Sequence, residues 1–181
     1  MGDAMAIRRL DPEDIDLMGR IDRSEHLTVK YTVEDGALVG RSTDVHVPTW
    51  SRQGSDERSV AAVIGYWRPV VPDGADLLGA LDGDDVLGLA IVDGSFEPGP
   101  AWLAFLYVNR PDRRRGAASA LWAAAVGVAR NAGAAALYVS AAPSGSAVGF
   151  YLSRGCQLAE APHPELFARE PEDIHLTCLL S

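Results

Sequence analysis

At 181 residues, 48% of them hydrophobic, the chain is long enough to bury a sizeable core and short enough to make one domain over residues 1–181 the expectation. A formal net charge of −9 argues against a general nucleic-acid binder, which depends on a basic surface that releases counterions from phosphates, and favours a cationic partner. The first residues carry an acid and no apolar core of signal-peptide length, and no stretch reaches the ~18 apolar residues of a membrane span, so a cytoplasmic protein without membrane contact is expected.

In chain order, residues 7–10 read as a short strand. Asp11-Pro12-Glu13-Asp14 then offers an N-cap, a first-turn proline and first-turn acids, and Ile15, Met18 and Ile21 supply the apolar stripe of a helix. From Thr28 the period changes to two: Val29, Tyr31 and Val33 alternate with polar residues, Asp35-Gly36 signals a turn, and residues 37–47 return as a strand. This polar hairpin is a candidate wall of a cleft. Residues 53–57 are a polar linker, after which Val60, Val63, Ile64 and Trp67 recur at the spacing of a one-face-buried helix that Pro69 ends.

Two apolar runs, 76–81 and 86–92, flank Asp82-Gly83-Asp84-Asp85 as a central hairpin, and beyond the 94–100 loop the unbroken apolar run 102–108 fits a strand covered on both faces. Residues 116–130 form an alanine-rich helix stopped by Gly133; a strand over 136–141, a helix over 144–154 closed by Gly155, and strands over 156–160 and 173–180 complete an α/β arrangement with a mixed sheet. Cys156 and Cys178 are too few and too far apart in sequence for a disulfide framework or a zinc cluster, so two reduced, buried thiols and no metal site are expected.

Charge is unevenly spread. Between Pro69 and Asn109 there is no Lys or Arg, while Asp73, Asp76, Asp82, Asp84, Asp85, Asp93 and Glu97 all fall there; then Arg110, Arg113, Arg114 and Arg115 arrive together. A buried strand thus runs through a short turn into a helix whose first residues are basic, then small. A helix N-terminus presents unpaired N–H groups and partial positive charge, Gly116, Ala117 and Ala118 let a phosphate approach the backbone, and arginines add charge-assisted bonds, an arrangement suited to a diphosphate cofactor. Neither a P-loop nor the Gly-rich dinucleotide fingerprint is present.

Residues 113–118, Arg-Arg-Arg-Gly-Ala-Ala, resemble the Gln/Arg-x-x-Gly-x-Gly/Ala acetyl-CoA signature of the GNAT superfamily of N-acetyltransferases. Val108 matches the valine that ends the family's long central strand, Ser119-Ala120-Leu121 its helix start, and Phe150-Tyr151 with Gly155 its later helix end; residues 76–160 carry the resemblance. The chain departs from the family pattern at Ser144, where an asparagine is common, at Asp112, where an aromatic is common, and at Arg114, where a glycine is common. The resemblance implies a GNAT fold, with a mixed, mostly antiparallel central sheet flanked by helices, a substrate-side half over about 1–75, an acetyl-CoA-binding half over about 76–160 and closing strands to 181.

It also implies acetyl-CoA as co-substrate, held by Leu106, Tyr107, Val108, Arg113, Arg114, Arg115, Gly116, Ala117, Ala118, Ser119 and Ser144, with Leu106 and Val108 pairing with the pantetheine arm as an added strand would. Tyr151 is the candidate general acid for the departing thiolate, against the plainer alternative of a core aromatic. Glu25, His26, Asp93 and Glu97 are considered as base without choosing one, and His163 and His175 are expected at the surface or a strand edge. The acidic composition tilts the acceptor towards a small cationic amine over a protein N-terminus or lysine. A non-catalytic acyl-CoA-binding module and an RNA-binding domain using residues 110–115 remain rivals, and a homodimer is left open.

Overall fold

The computed structural model describes residues 5–54, 56–71, 73–97 and 99–180. The start of the chain, part of the 53–57 linker and part of the 94–100 loop therefore lie outside the described residues. The elements run β1 (Ala6–Leu10), a 3₁₀ helix (Pro12–Arg20), β2 (Glu25–Glu34), β3 (Ala37–Val47), α1 (Val60–Trp67), β4 (Asp76–Asp82), β5 (Asp85–Asp93), β6 (Pro100–Val108), a 3₁₀ turn (Arg110–Asp112), α2 (Ala117–Asn131), β7 (Ala136–Ala141), α3 (Gly145–Leu152), β8 (Gln157–Leu158), α4 (Pro164–Arg169) and β9 (Ile174–Leu179).

Seven strands form one sheet in the order β1-β4-β5-β6-β7-β9-β8, and β2 and β3 pair separately as a hairpin. Every neighbouring pair is antiparallel except β6 and β7. That parallel pairing runs only from Pro100↔Ala136 to Leu103↔Val139. On the other side of β6, Ile91 faces Phe105 and Val92 faces Leu103, so Ala104 is a bulge residue at the point where β6 leaves β7. The bulge and the parting of the strands coincide, which opens the sheet at its centre.

Two apolar layers sandwich the sheet. On one face α2 and α3 bring Leu121, Trp122, Ala125, Ala129, Val148 and Tyr151 against Leu103, Leu137, Val139 and Leu176. Alanine at the contact lets α2 lie close to the strands, consistent with Ala125 and Ala129 being fully buried. On the other face Ile15 and Met18 of the first 3₁₀ helix, Ile21 just after it and Trp67 of α1 cover Leu77, Leu89, Ile91, Trp102 and Phe105. The hairpin leans on the turn after β7: the Tyr31 N–H donates to the Pro143 carbonyl at 2.9 Å. Gly145 permits this approach, since a Cβ there would stand 3.2 Å from Val29 Cβ.

Several expectations are corrected. Cys156 and Cys178 are buried as expected but joined in a disulfide. They are 22 residues apart in sequence, yet β9 returns between β7 and β8 and sets the two Cα atoms 4.1 Å apart. The strand expected over 156–160 shrinks to two paired residues, and α4, started by Pro164 with Glu165 in its first turn, follows where no helix was expected. His175 is neither exposed nor on an edge: β9 is an interior strand, and the Tyr138 hydroxyl, which accepts from the His163 N–H at 2.7 Å, donates to His175 Nδ1 at 2.6 Å. Burial holds that imidazole below its ordinary pKa. Among the described residues no helix is long and apolar enough to cross a membrane.

Candidate active site

The parting of β6 from β7 opens a cleft of about 1190 Å³. Gly116, Ala117, Ala118 and Ser119 line one end, residues 103–108 of β6 and 140–144 at and beyond the end of β7 line its length, and Leu27, Thr43, Val45 and Val47 of the hairpin with Tyr66 and Trp67 of α1 line the other. The polar hairpin is thus a wall of the cleft, as its sequence suggested.

Two left-handed residues shape the turn into α2: Arg114 at φ +65° and Gly116 at φ +89°. Alternation of this kind turns successive N–H groups into one concavity, an anion cradle that continues into the N-terminus of α2. A Cβ on Gly116 would meet nothing within 4 Å, so glycine is required there by backbone conformation, and the space beside it is open. Arg114 bears a side chain in the same unfavourable region, which explains why glycine suits that position in the resembling sequences.

Most of the arginine cluster serves the turn itself. Asn109 accepts from the Asp22 N–H at 2.9 Å and donates to Asp112 at 2.9 Å. Arg110 reaches the Ser24 hydroxyl at 3.1 Å, and Arg113 the Arg23 carbonyl at 3.1 Å. Asp22 accepts from the Ser24 N–H, and bonding to Ser24 holds its carboxyl below the usual range. Arg115 turns outward to Asp112 at 2.6 Å and Asp82 at 3.4 Å and is not on the cleft wall. The other ten positions singled out for the cofactor do line the cleft: Leu106, Tyr107, Val108, Arg113, Arg114, Gly116, Ala117, Ala118, Ser119 and Ser144.

Ser144 caps α3, its hydroxyl accepting from the Ala147 N–H at 3.1 Å. About two turns later Tyr151 reaches the cleft wall from a buried position, its ring 5.9 Å from that of Trp122. Burial first, then the neighbouring Tyr107 and Asp173, push its phenol well above the ordinary tyrosine value, so it is protonated at neutral pH.

At the hairpin end the wall is aromatic and acidic. Trp50 packs edge-on against Tyr107 at 5.4 Å, and Trp67 against Phe105 at 5.8 Å. Five carboxylates line the cleft, Glu25, Glu57, Glu170, Glu172 and Asp173. Lys30 pairs with Glu172 at 3.0 Å, and Arg23 lies over the Trp50 ring at 5.2 Å. Asp173 accepts from the Ser140 hydroxyl at 3.1 Å, and burial, then Glu170, raise its carboxyl to about 7. Of the bases considered from sequence, only Glu25 is on the wall. His26 pairs with Asp44 at 2.5 Å, Asp93 accepts from the Ser95 N–H at 2.9 Å, and Glu97 pairs with His163 at 2.7 Å. Sequence reasoning missed Trp50, Ser140, Glu170 and Asp173; only the acidic run 170–173 ahead of the last strand hinted at them.

No curated protein sequence matches the chain. Among solved structures, a nourseothricin acetyltransferase superposes with a TM-score of 0.71 at 16% identity, over 98% of this chain and 99% of that one. A protein from Bacillus anthracis strain Ames, described provisionally as a streptothricin acetyltransferase and solved with acetyl coenzyme A, gives 0.65 at 15% identity over 98% of each chain. The ribosomal-protein-S18-alanine N-acetyltransferase of Escherichia coli gives 0.62 at 16% identity over 98% of this chain and 95% of its own. At such identities these likenesses speak to fold, which is the same split sheet flanked by helices. The family model of the Acetyltransferase (GNAT) family matches residues 43–156, the stretch that holds the parted strands, the left-handed turn and Tyr151, and the chain belongs to that family.

Proposed function

We propose that the protein transfers the acetyl group of acetyl-CoA to the primary amine of a small cationic molecule. The observation that carries this reading is the polarity of one continuous cleft: a backbone anion cradle at residues 114–118, and an aromatic, carboxylate-rich chamber at the other end, with Tyr151 on its wall. The residues fit the cofactor. Gly116 leaves open space beside left-handed backbone for a pyrophosphate, and residues 104–108, past the last β6–β7 pair, offer strand backbone to an amide-bearing arm. Bound there, acetyl-CoA would supply the thioester carbon that an amine attacks, and Tyr151 would protonate the leaving sulfur. Holding both reactants in line accounts for most of the rate such a site needs.

The docked hairpin favours a small acceptor over an extended peptide, because the Lys30–Glu172 pair and the Tyr31–Pro143 hydrogen bond bring β2 against the acidic segment and the turn after β7. The reading is tested by calorimetric titration with acetyl-CoA, followed by thiol release with nourseothricin, spermidine and a peptide bearing an N-terminal alanine. Micromolar cofactor binding with turnover of either small amine supports it. Turnover of the peptide alone would assign a protein N-terminus as acceptor; cofactor binding with no turnover across the panel would favour an acyl-CoA-binding module.

A further inference from the structure

We infer that Asp173 is the base that takes a proton from the acceptor ammonium, with Glu170 holding the cation beside it. This rests on the acetyltransferase reading above and adds the proton acceptor that reading lacks. Ile174 pairs with Ala141, so Asp173 stands beside the last residue of β7, just beyond the point where β7 parts from β6. Its carboxylate is close enough to Tyr107 and Tyr151 for its charge to raise both phenols. The Ser140 hydroxyl fixes one carboxylate oxygen from the neighbouring strand. Lys30, the one lysine on this wall, is taken by Glu172, and among the described residues neither Asp173 nor Glu170 has an ion-pair partner. A site with two neighbouring acidic side chains that no cation pairs, and an aromatic wall, is complementary to an organic ammonium ion.

The groups that face Asp173 set its behaviour. Ser140 comes from β7, Tyr107 from β6, Tyr151 from α3, and Glu170 and Glu172 from its own segment. Arg23 acts on Tyr107, and Lys30 of β2 acts through Glu172. Burial and the second carboxyl bring Asp173 to about 7, where it both accepts and releases a proton near neutrality. The protons balance as follows. Asp173 takes one from the ammonium, and the freed nitrogen lone pair forms the N–C bond as the C–S bond breaks. Tyr151 gives its proton to sulfur and regains one from the acylated nitrogen. Asp173 then loses its proton to water, so one proton is released per turnover.

The test compares the protein with Asp173→Asn, Glu170→Gln and Ser140→Ala, using acetyl-CoA with spermidine and nourseothricin as acceptors and acetyl-CoA calorimetry as the check on folding. Expected for Asp173→Asn are a kcat lower by roughly 100-fold or more, an unchanged acetyl-CoA KM and loss of the acidic limb of the kcat–pH profile near 7. Glu170→Gln should move that limb to lower pH and raise the acceptor KM, and Ser140→Ala should move the limb with a smaller loss of rate. In protein labelled with ¹³C at aspartate carboxyls, one resonance should titrate near 7 and be absent from Asp173→Asn. A variant that keeps its rate within threefold and its acidic limb, or a resonance with an ordinary aspartate midpoint, overturns Asp173 as base and leaves the acetyltransferase reading standing. Failure of the unaltered protein to bind acetyl-CoA overturns that reading, and the base with it, through a different measurement.

Discussion

Reduction of the Cys156–Cys178 bond should cost the fold a calculable amount. The bond closes a loop of 22 residues, and the loss of unfolded-chain entropy for a loop of that length corresponds to about 3 kcal/mol at 25 °C. For a chain of this size each kcal/mol moves Tm by roughly 2–4 °C, so the reduced protein should melt roughly 6–12 °C lower. Both sulfurs are buried, with Cys156 3% and Cys178 2% exposed, so reduction under native conditions should be slow and become complete only with local opening. The assay is a pair of thermal melts with and without a strong thiol reductant, with free thiols counted before each. The Cys156→Ala/Cys178→Ala variant should melt near the reduced protein and ignore the reductant. Two free thiols in protein purified under air, or equal Tm values after both thiols have been released, would refute the reasoning.

Tyr151→Phe should lower kcat by about 100-fold or more with the acetyl-CoA KM little changed, since in the proposed reaction the phenol serves proton transfer rather than cofactor binding; thiol release measures both. Arg115→Ala should leave acetyl-CoA affinity within about twofold because that side chain is spent on Asp82 and Asp112, whereas Gly116→Val, forcing a branched residue to φ +89°, should weaken it at least tenfold by calorimetry. Asp173 keeps its proton to about 7 in the fold against about 4 unfolded, so its contribution favours the fold below pH 4 and is lost as pH rises through 7. Asp173→Asn should therefore melt with the unaltered protein at pH 4 and above it at pH 8. Raising salt from about 50 to 500 mM should increase the KM of a cationic acceptor more than that of acetyl-CoA; equal slopes would contradict an acidic acceptor end.

What the sequence disclosed well was whatever local pattern determines. A 3.6-residue stripe placed α1, the alanine-rich run stopped by Gly133 placed α2, the Asp35-Gly36 and Asp82–Asp85 turns placed both hairpins, and the unbroken apolar run placed β6. The strand, turn and helix at one end of the cleft were equally legible, because they are contiguous in sequence. The acceptor end was not. Ser140 and Asp173 are 33 residues apart and meet only because β9 returns beside β7, and no local signal encodes that return. The same crossing explains the missed disulfide and the buried His175. The backbone cradle was legible from the helix start, but the partners of the arginines beside it were not: Arg110 and Arg113 bond the distant 22–24 segment, and Arg115 also reaches Asp82.

That use of arginine bears on how one cleft, in a chain of net charge −9, would serve both an anionic cofactor and the proposed cationic acceptor. A basic patch facing the phosphates would project its field along the cleft and repel an ammonium ion at the far end, since charges interact over about a Debye length of 10 Å. Backbone N–H groups at a helix N-terminus act within the first turn and fade beyond it. Arg115 is paired with Asp82 and Asp112 and Arg110 acts on Asp22, so part of the turn's positive charge is compensated, while Arg110 and Arg113 bond the 22–24 segment and hold the backbone of the turn in shape. In the proposed reading the carboxylates at the hairpin end set the potential an incoming acceptor meets, and the disulfide-anchored β9 that follows Asp173 keeps that residue beside β7.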